Sequence, residues 1–145
     1  MAKSKQLVFR LSLPSVPKSI SRIETFLHRV NRTLHLDEIL FNKLMISVTE
    51  AVNNAIVHGN KLNPVRKVSV TCEVLPGWLV VLVDDQGRGF KPEQVRNPLR
   101  KENLLKESGR GIFLMRTLMD KVEFESSRSG MQVRLWLDLG KQSPA

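Results

Sequence analysis

Glu50, Asn53 and Asn54 are the first residues whose types and spacing could do chemistry. They stand in the run Thr49-Glu50-Ala51-Val52-Asn53-Asn54-Ala55-Ile56-Val57-His58-Gly59-Asn60. In a helix Glu50 and Asn54, four apart, stack on one face and set a carboxylate beside an amide. Asn is a poor helix-interior residue because its amide competes with the backbone for hydrogen bonds. Two in succession run against local propensity, and such conflicts mark functional sites. The plain alternative is a pair of solvated amides. A second constellation is Asp85-Gln86-Gly87-Arg88-Gly89-Phe90, directly after an apolar run. Gly87 and Gly89 let the backbone turn sharply and approach a ligand closely, and Asp85 can accept from an exocyclic amine. Its plain alternative is a tight turn with an Asp cap. A third is Gly109-Arg110-Gly111, read as lying immediately before a helix. A glycine-rich helix N-terminus offers free N–H groups and a positive dipole end, both suited to phosphate.

Periodicity places these residues. One amphipathic helix runs from about Asp37 to His58, with Leu40, Leu44, Val48, Ala51, Val52 and Ala55 on its core face. Gly59 is positioned to end it with a left-handed cap. Before it, Leu7, Phe9, Leu11 and Leu13 alternate as a half-buried strand up to Pro14. Pro17 opens a helix with Ile20, Ile23, Phe26 or Leu27, Val30 and Leu34 on its face. Val68, Val70, Cys72 and Val74 alternate as a second strand, with Cys72 as a core filler. After the Pro76-Gly77 turn signal, Trp78 to Val83 reads as a central strand covered on both sides. The polar stretch from Gln86 to Ser108 reads as a lid or binding loop. A helix from Gly111 to Met119 follows, then strands over Val122 to Glu125 and Met131 to Leu137 around Ser129-Gly130. Residues 141–145 are expected to be a disordered tail. The order β-α-α-β-β-lid-α-β-β predicts an α+β two-layer sandwich.

Composition narrows the class. At 145 residues, 41% apolar and 26% charged, the chain suits one soluble domain spanning 1–145. No run reaches the length of a membrane span, and the N-terminus lacks a signal-peptide apolar stretch. The single cysteine, Cys72, excludes an internal disulfide and a cysteine metal cage. All of this points to the cytoplasm. The net charge of +9 suits nucleic acid, an acidic partner or a nucleotide. Direct nucleic-acid binding is not expected, because no zinc-finger, RNP or basic-zipper pattern occurs and aromatics are only 6%. His28 and His35 read as surface residues. The P-loop, the dinucleotide fingerprint and the protein-kinase set are all missing.

Glu50-x-x-x-Asn54, Asp85-x-Gly87-x-Gly89 and Gly109-x-Gly111 together resemble the N, G1 and G2 boxes of the Bergerat-fold, histidine-kinase-like ATPases. Within that superfamily, Glu50 to Gly59 and Gly111 to Asp120 resemble the anti-sigma-factor serine/threonine kinases. The resemblance runs from the first strand to about Leu139. It implies a mostly antiparallel sheet with three helices on one face, and ATP and Mg²⁺ as cofactors. By the same resemblance Asn54 is the metal ligand, Asp85 binds the adenine amino group, and Gly87 and Gly89 make room for the nucleotide. Gly109, Arg110 and Gly111 lie at its phosphates, with weaker motif support for Arg110 and for Arg88 and Lys106. Glu50 is the implied base for the substrate hydroxyl. His58 matches a family histidine and is expected to make a structural hydrogen bond. Asp85 is preferred to Asp84 because it has the D-x-G-x-G spacing. Family members phosphorylate a STAS-domain anti-anti-sigma factor, bind a sigma factor, or do both, and dimers are common among them. Two other readings stand beside this kinase. One is a non-catalytic, nucleotide-dependent binding module. The other is the ATP-binding domain of a two-component histidine kinase, weakened by the lack of a helix pair carrying an acceptor His.

Overall fold

A computed structural model describes residues 6–87 and 107–141. The alternating segments form five strands: β1 (Leu7–Pro14), β2 (Lys67–Leu75), β3 (Trp78–Asp84), β4 (Lys121–Ser127) and β5 (Gly130–Asp138). They make one sheet in the order β1-β2-β3-β5-β4, with every neighbouring pair antiparallel. The register carries apolar rows straight across it. Leu11, Val70, Val83, Val133 and Phe124 are successive partners, and so are Phe9, Cys72, Val81, Leu135 and Val122. A period of two then turns both rows to the same face.

Among the described residues three helices cover that face: α1 (Ile20–Leu34), α2 (Glu38–Asn54) and α3 (Glu107–Leu118). Ile23, Phe26, Leu27 and Val30 of α1 are all buried, so Phe26 and Leu27 share the core stripe. Leu40, Leu44, Val48, Ala51 and Val52 of α2 join Ile112 and Met115 of α3 in the same cluster. Leu44 is fully buried, and truncating it to Ala should cost about 2–5 kcal/mol. Asp37 caps α2 by accepting from Leu40 N at 2.8 Å. The expected α+β two-layer sandwich is the architecture found.

Among the described residues no helix lies over the other face, which departs from the reading of β3 as covered on both sides. Val80 is shielded there at its cross-strand partner Trp136, whose ring meets Trp78 edge-on at 5.8 Å. On the same face Arg134 pairs with Glu123 and Glu125. Two further boundaries shift. Helix α3 begins at Glu107, so Gly109 and Gly111 lie within its first turns instead of ahead of it. Leu139–Lys141 forms a 3₁₀ turn with Lys141 tied to Asp120, so the first residue of the expected tail is ordered, and residues 142–145 lie outside the described residues. The expected lid falls mostly outside the described residues.

Candidate functional site

The C-terminal end of α2 widens into a π-turn, Ala55–Gly59, closed by Asn60 N donating to Ala55 O at 2.8 Å. Such turns break the regular ladder and gather at functional sites. The left-handed cap expected at Gly59 is not there. Positive φ angles fall instead at Lys61 (55°) and Leu62 (58°). Gly59 is needed for space: a Cβ on it would overlap the Asp85 carboxylate, and a Cβ on Gly87 would overlap the Gly59 carbonyl. The π-turn and the loop after β3 therefore touch backbone to backbone.

Asp85 follows the last residue of β3 and turns inward, 9% exposed. Its Oδ1 accepts from Gly87 N at 3.0 Å and Met131 N at 3.1 Å, and its own N–H donates to Met131 O at 3.0 Å. Gly130 (φ 145°) leaves no room for a Cβ beside the Asp85 carbonyl. Burial pushes the Asp85 carboxyl above the usual carboxylate range, and the two backbone N–H bonds oppose that shift. A buried carboxylate with one oxygen already paired suits a single outside donor. Asp84 faces the open side, where Gln132 Nε2 donates to it at 2.9 Å. The spacing argument for Asp85 thus picks the inward residue.

Across from Asp85, Asn54 is 7% exposed, and its Oδ1 has no hydrogen-bond partner among the described residues. A buried oxygen left so costs about 1–3 kcal/mol, which calls for an explanation. Gly111 of α3 faces it: a Cβ there would lie 2.8 Å from Glu50 Oε2 and 3.3 Å from Asn54 Nδ2. The α2–α3 contact so brings Glu50, Asn54 and Gly111 to one place. Between Asn54 and Asp85 lies an apolar slot of about 10 Å³, bordered by Ala51, Val83, Met115 and Met131. That is room for about one water, and its two methionines are unbranched side chains able to yield to a flat ligand.

Gly109 is buried in the first described turn of α3. Arg110 is exposed beside it. Gly89, Arg88 and Lys106 lie outside the described residues. His58 departs from expectation, since its Nε2 is buried with no hydrogen-bond partner among the described residues. His28 and His35 are exposed as expected, and Cys72 is a buried core thiol pushed up to about 12. Asn60 was missed by the sequence reading because it sits in a polar, turn-like stretch. Only its complete burial and its bonds to Ser15, Lys67 and Gln86 reveal it.

A helix-covered antiparallel sheet with an inward Asp and a buried helical Asn bordering one slot defines an α+β two-layer sandwich with a polar-flanked cleft. The comparisons agree. The histidine kinase-like ATPase domain model matches residues 13–137. An anti-sigma F factor of Heyndrickxia coagulans is 35% identical over 118 residues, covering 79% of this chain and 78% of that one. The serine-protein kinase RsbW of Bacillus subtilis is 30% identical over 131 residues, covering 86% and 81%. The chain belongs to the histidine kinase-like ATPase domain family, in the branch of the anti-sigma F factors and RsbW kinases. The fold is shared with the RsbU and RsbW domains of a Mycobacterium tuberculosis protein. There the TM-score is 0.66 at 16% identity, over 96% of this chain and 34% of that longer one. A histidine kinase domain of Erythrobacter litoralis gives 0.59 at 18% identity, over 89% and 63%. Among the described residues, no helix is long and apolar enough to cross a membrane.

Proposed function

We propose that this chain is a cytoplasmic, single-domain, ATP-dependent serine/threonine kinase that phosphorylates a STAS-domain antagonist and/or holds a sigma factor. The observation that carries the reading is the buried, unpartnered Oδ1 of Asn54. An oxygen donor of that kind fits Mg²⁺, a hard cation that favours oxygen ligands. Bound there, the ion would neutralise phosphate charge. Asp85 keeps one carboxylate oxygen for the adenine amino group, and Gly87 makes room for the nucleotide in this proposal. Gly109 and Gly111, with Arg110, serve the phosphates near the start of α3 in this proposal, and Gly89, outside the described residues, keeps its proposed role of making room for the nucleotide.

Glu50 is the base in this proposal. It stands one helical turn before Asn54 and against Gly111. As the substrate hydroxyl oxygen bonds to the γ-phosphorus and the bond to ADP breaks, the hydroxyl proton passes to the Glu50 carboxylate. Phosphoryl transfer depends mainly on positioning and charge neutralisation, so orienting the hydroxyl is a large part of that role. The test is transfer of label from γ-labelled ATP to Ser or Thr of candidate STAS-domain proteins, with and without Mg²⁺. Mg²⁺-dependent label on the partner is expected. ATP binding with no transfer to any partner would favour the sequestering module.

A further inference from the structure

We infer that Asn60 is a positioning residue that locks the base-reading carboxylate of Asp85 to the helix end bearing Asn54. The inference rests on the nucleotide reading above and adds a residue to it. Asn60 is 0% exposed and uses both ends of its side chain. Its Nδ2 donates to Ser15 Oγ at 2.9 Å and Lys67 O at 3.0 Å, and its Oδ1 accepts from Gln86 N at 2.7 Å. Those partners lie 45, 7 and 26 residues away in sequence. The end of β1, the start of β2 and the loop after β3 thus converge on one amide. Two further bonds brace it: Ser15 Oγ donates to Arg66 O at 2.7 Å, and Lys67 N donates to Gln86 Oε1 at 2.6 Å.

The bond to Gln86 N matters most for function. That nitrogen belongs to the peptide directly after Asp85, so holding it fixes the backbone rotation that aims the Asp85 side chain. Gly87 N and Met131 N hold the carboxylate from the other side. Asn60 also ends the π-turn through its own N–H, six residues after Asn54. One short segment therefore carries the unpartnered oxygen of Asn54 and the clamp on Asp85. Fixed geometry of this kind is what lets a site prefer one ligand, because a misplaced group forfeits its hydrogen bond without changing identity. The position needs two donors and an acceptor in one small side chain, which Asn supplies. Asp would keep the acceptor for Gln86 N and set a carboxylate against the Lys67 carbonyl.

Calorimetric titration of the full chain with Mg²⁺–ATP and Mg²⁺–GTP tests this in wild type, Asn60→Asp and Ser15→Ala. Ser15→Ala removes one anchor of the amide and keeps the experiment decisive if Asn60→Asp does not fold. The exposed-loop variant Asn63→Ala is the control. The wild-type preference for ATP should fall by about tenfold in Asn60→Asp, and by less in Ser15→Ala, with Asp85 intact in both. Merely structural damage would weaken both nucleotides alike and leave the ratio unmoved, and that outcome in the folded variants overturns the inference alone. A wild type that binds neither nucleotide overturns it together with the nucleotide reading.

Discussion

Asn54 and Asn60 stand six residues apart at the end of one helix, 7% and 0% exposed. Around Asn60 every side-chain polar atom is paired with another part of the protein. Around Asn54 the amide oxygen has no partner among the described residues, while Gly111 keeps the space open. Asn60 stands just past the π-turn, whereas Asn54 runs against helix propensity inside α2. The first region is a hydrogen-bonded knot whose reward is a fixed backbone. The second tolerates an unmet bond, which makes sense where a ligand completes it. Burial alone does not tell a structural polar residue from a ligand-facing one. The difference lies in which atoms are already satisfied.

The largest predicted effect sharpens this at Glu50. Glu50→Gln keeps shape but cannot accept a proton at neutral pH, so single-turnover transfer should fall by roughly 10²–10⁴-fold, toward the low end for a loose transition state. Nucleotide affinity and melting temperature should hold. A variant that melts early instead would place Glu50 with the knot.

Next comes the pair itself. Asn54→Ala should cut Mg²⁺-dependent ATP affinity by about 10–100-fold, at least what outer-shell partners of a metal are worth. It should also melt slightly higher, because an unmet oxygen leaves a helix that prefers Ala by about half a kcal/mol. Asn60→Ala should do the reverse to stability. Three partner groups lose their bond at about 1–3 kcal/mol each before water recovers part, so a melting point lower by on the order of 10 °C is expected. Equal thermal shifts in the two variants would break the comparison.

Asp85 sits between the regions and carries some of each. Asp85→Asn should lower ATP affinity by about one to two powers of ten, since the adenine amine loses its acceptor partner. The same change should raise the apo melting temperature. Burial raises the folded-state pKa of Asp85 above 3.8, so the folded protein holds a proton more tightly than the unfolded chain. The resulting stabilisation is full below about 3.8 and lost as pH rises through the folded value. The advantage of Asn over Asp at position 85 should therefore be largest at neutral pH and shrink toward pH 4. Melting curves of both proteins across that range decide it; a constant gap would mean that Asp85 carries no penalty.

Much of this was legible in the chain. Alternation gave the strands, because a period of two has one solution once a face is buried. It also separates the two aspartates: Val81 and Val83 face the core, Asp84 faces out, and Asp85 returns inward. Glu50 and Asn54 were readable because helical spacing is rigid. Asn60 was not, since its partners lie up to 45 residues away and no local pattern encodes them. Gly59 was noticed for the wrong reason. Its lack of a side chain answers to Asp85, 26 residues on, and not to its own backbone angle. Local propensity sets the start of α3 late, because two glycines weigh against helix, while contact with α2 overrides it.

The smallest prediction separates Asn54 from its immediate neighbour. Asn53 is half-buried, and a step of one residue turns it about 100° around the helix from Asn54. It therefore cannot share the Gly111 face that Glu50 and Asn54 occupy. Asn53→Ala replaces a weak helix former with the strongest one, a gain of about half a kcal/mol, or a few degrees in melting temperature. Mg²⁺–ATP affinity should stay within about twofold, because surface-type substitutions away from a site rarely exceed half a kcal/mol. If Asn53→Ala weakened Mg²⁺–ATP binding as much as Asn54→Ala in parallel titrations, the ligand-facing oxygen would have been assigned to the wrong residue. The unmet bond at Asn54 would then need another explanation.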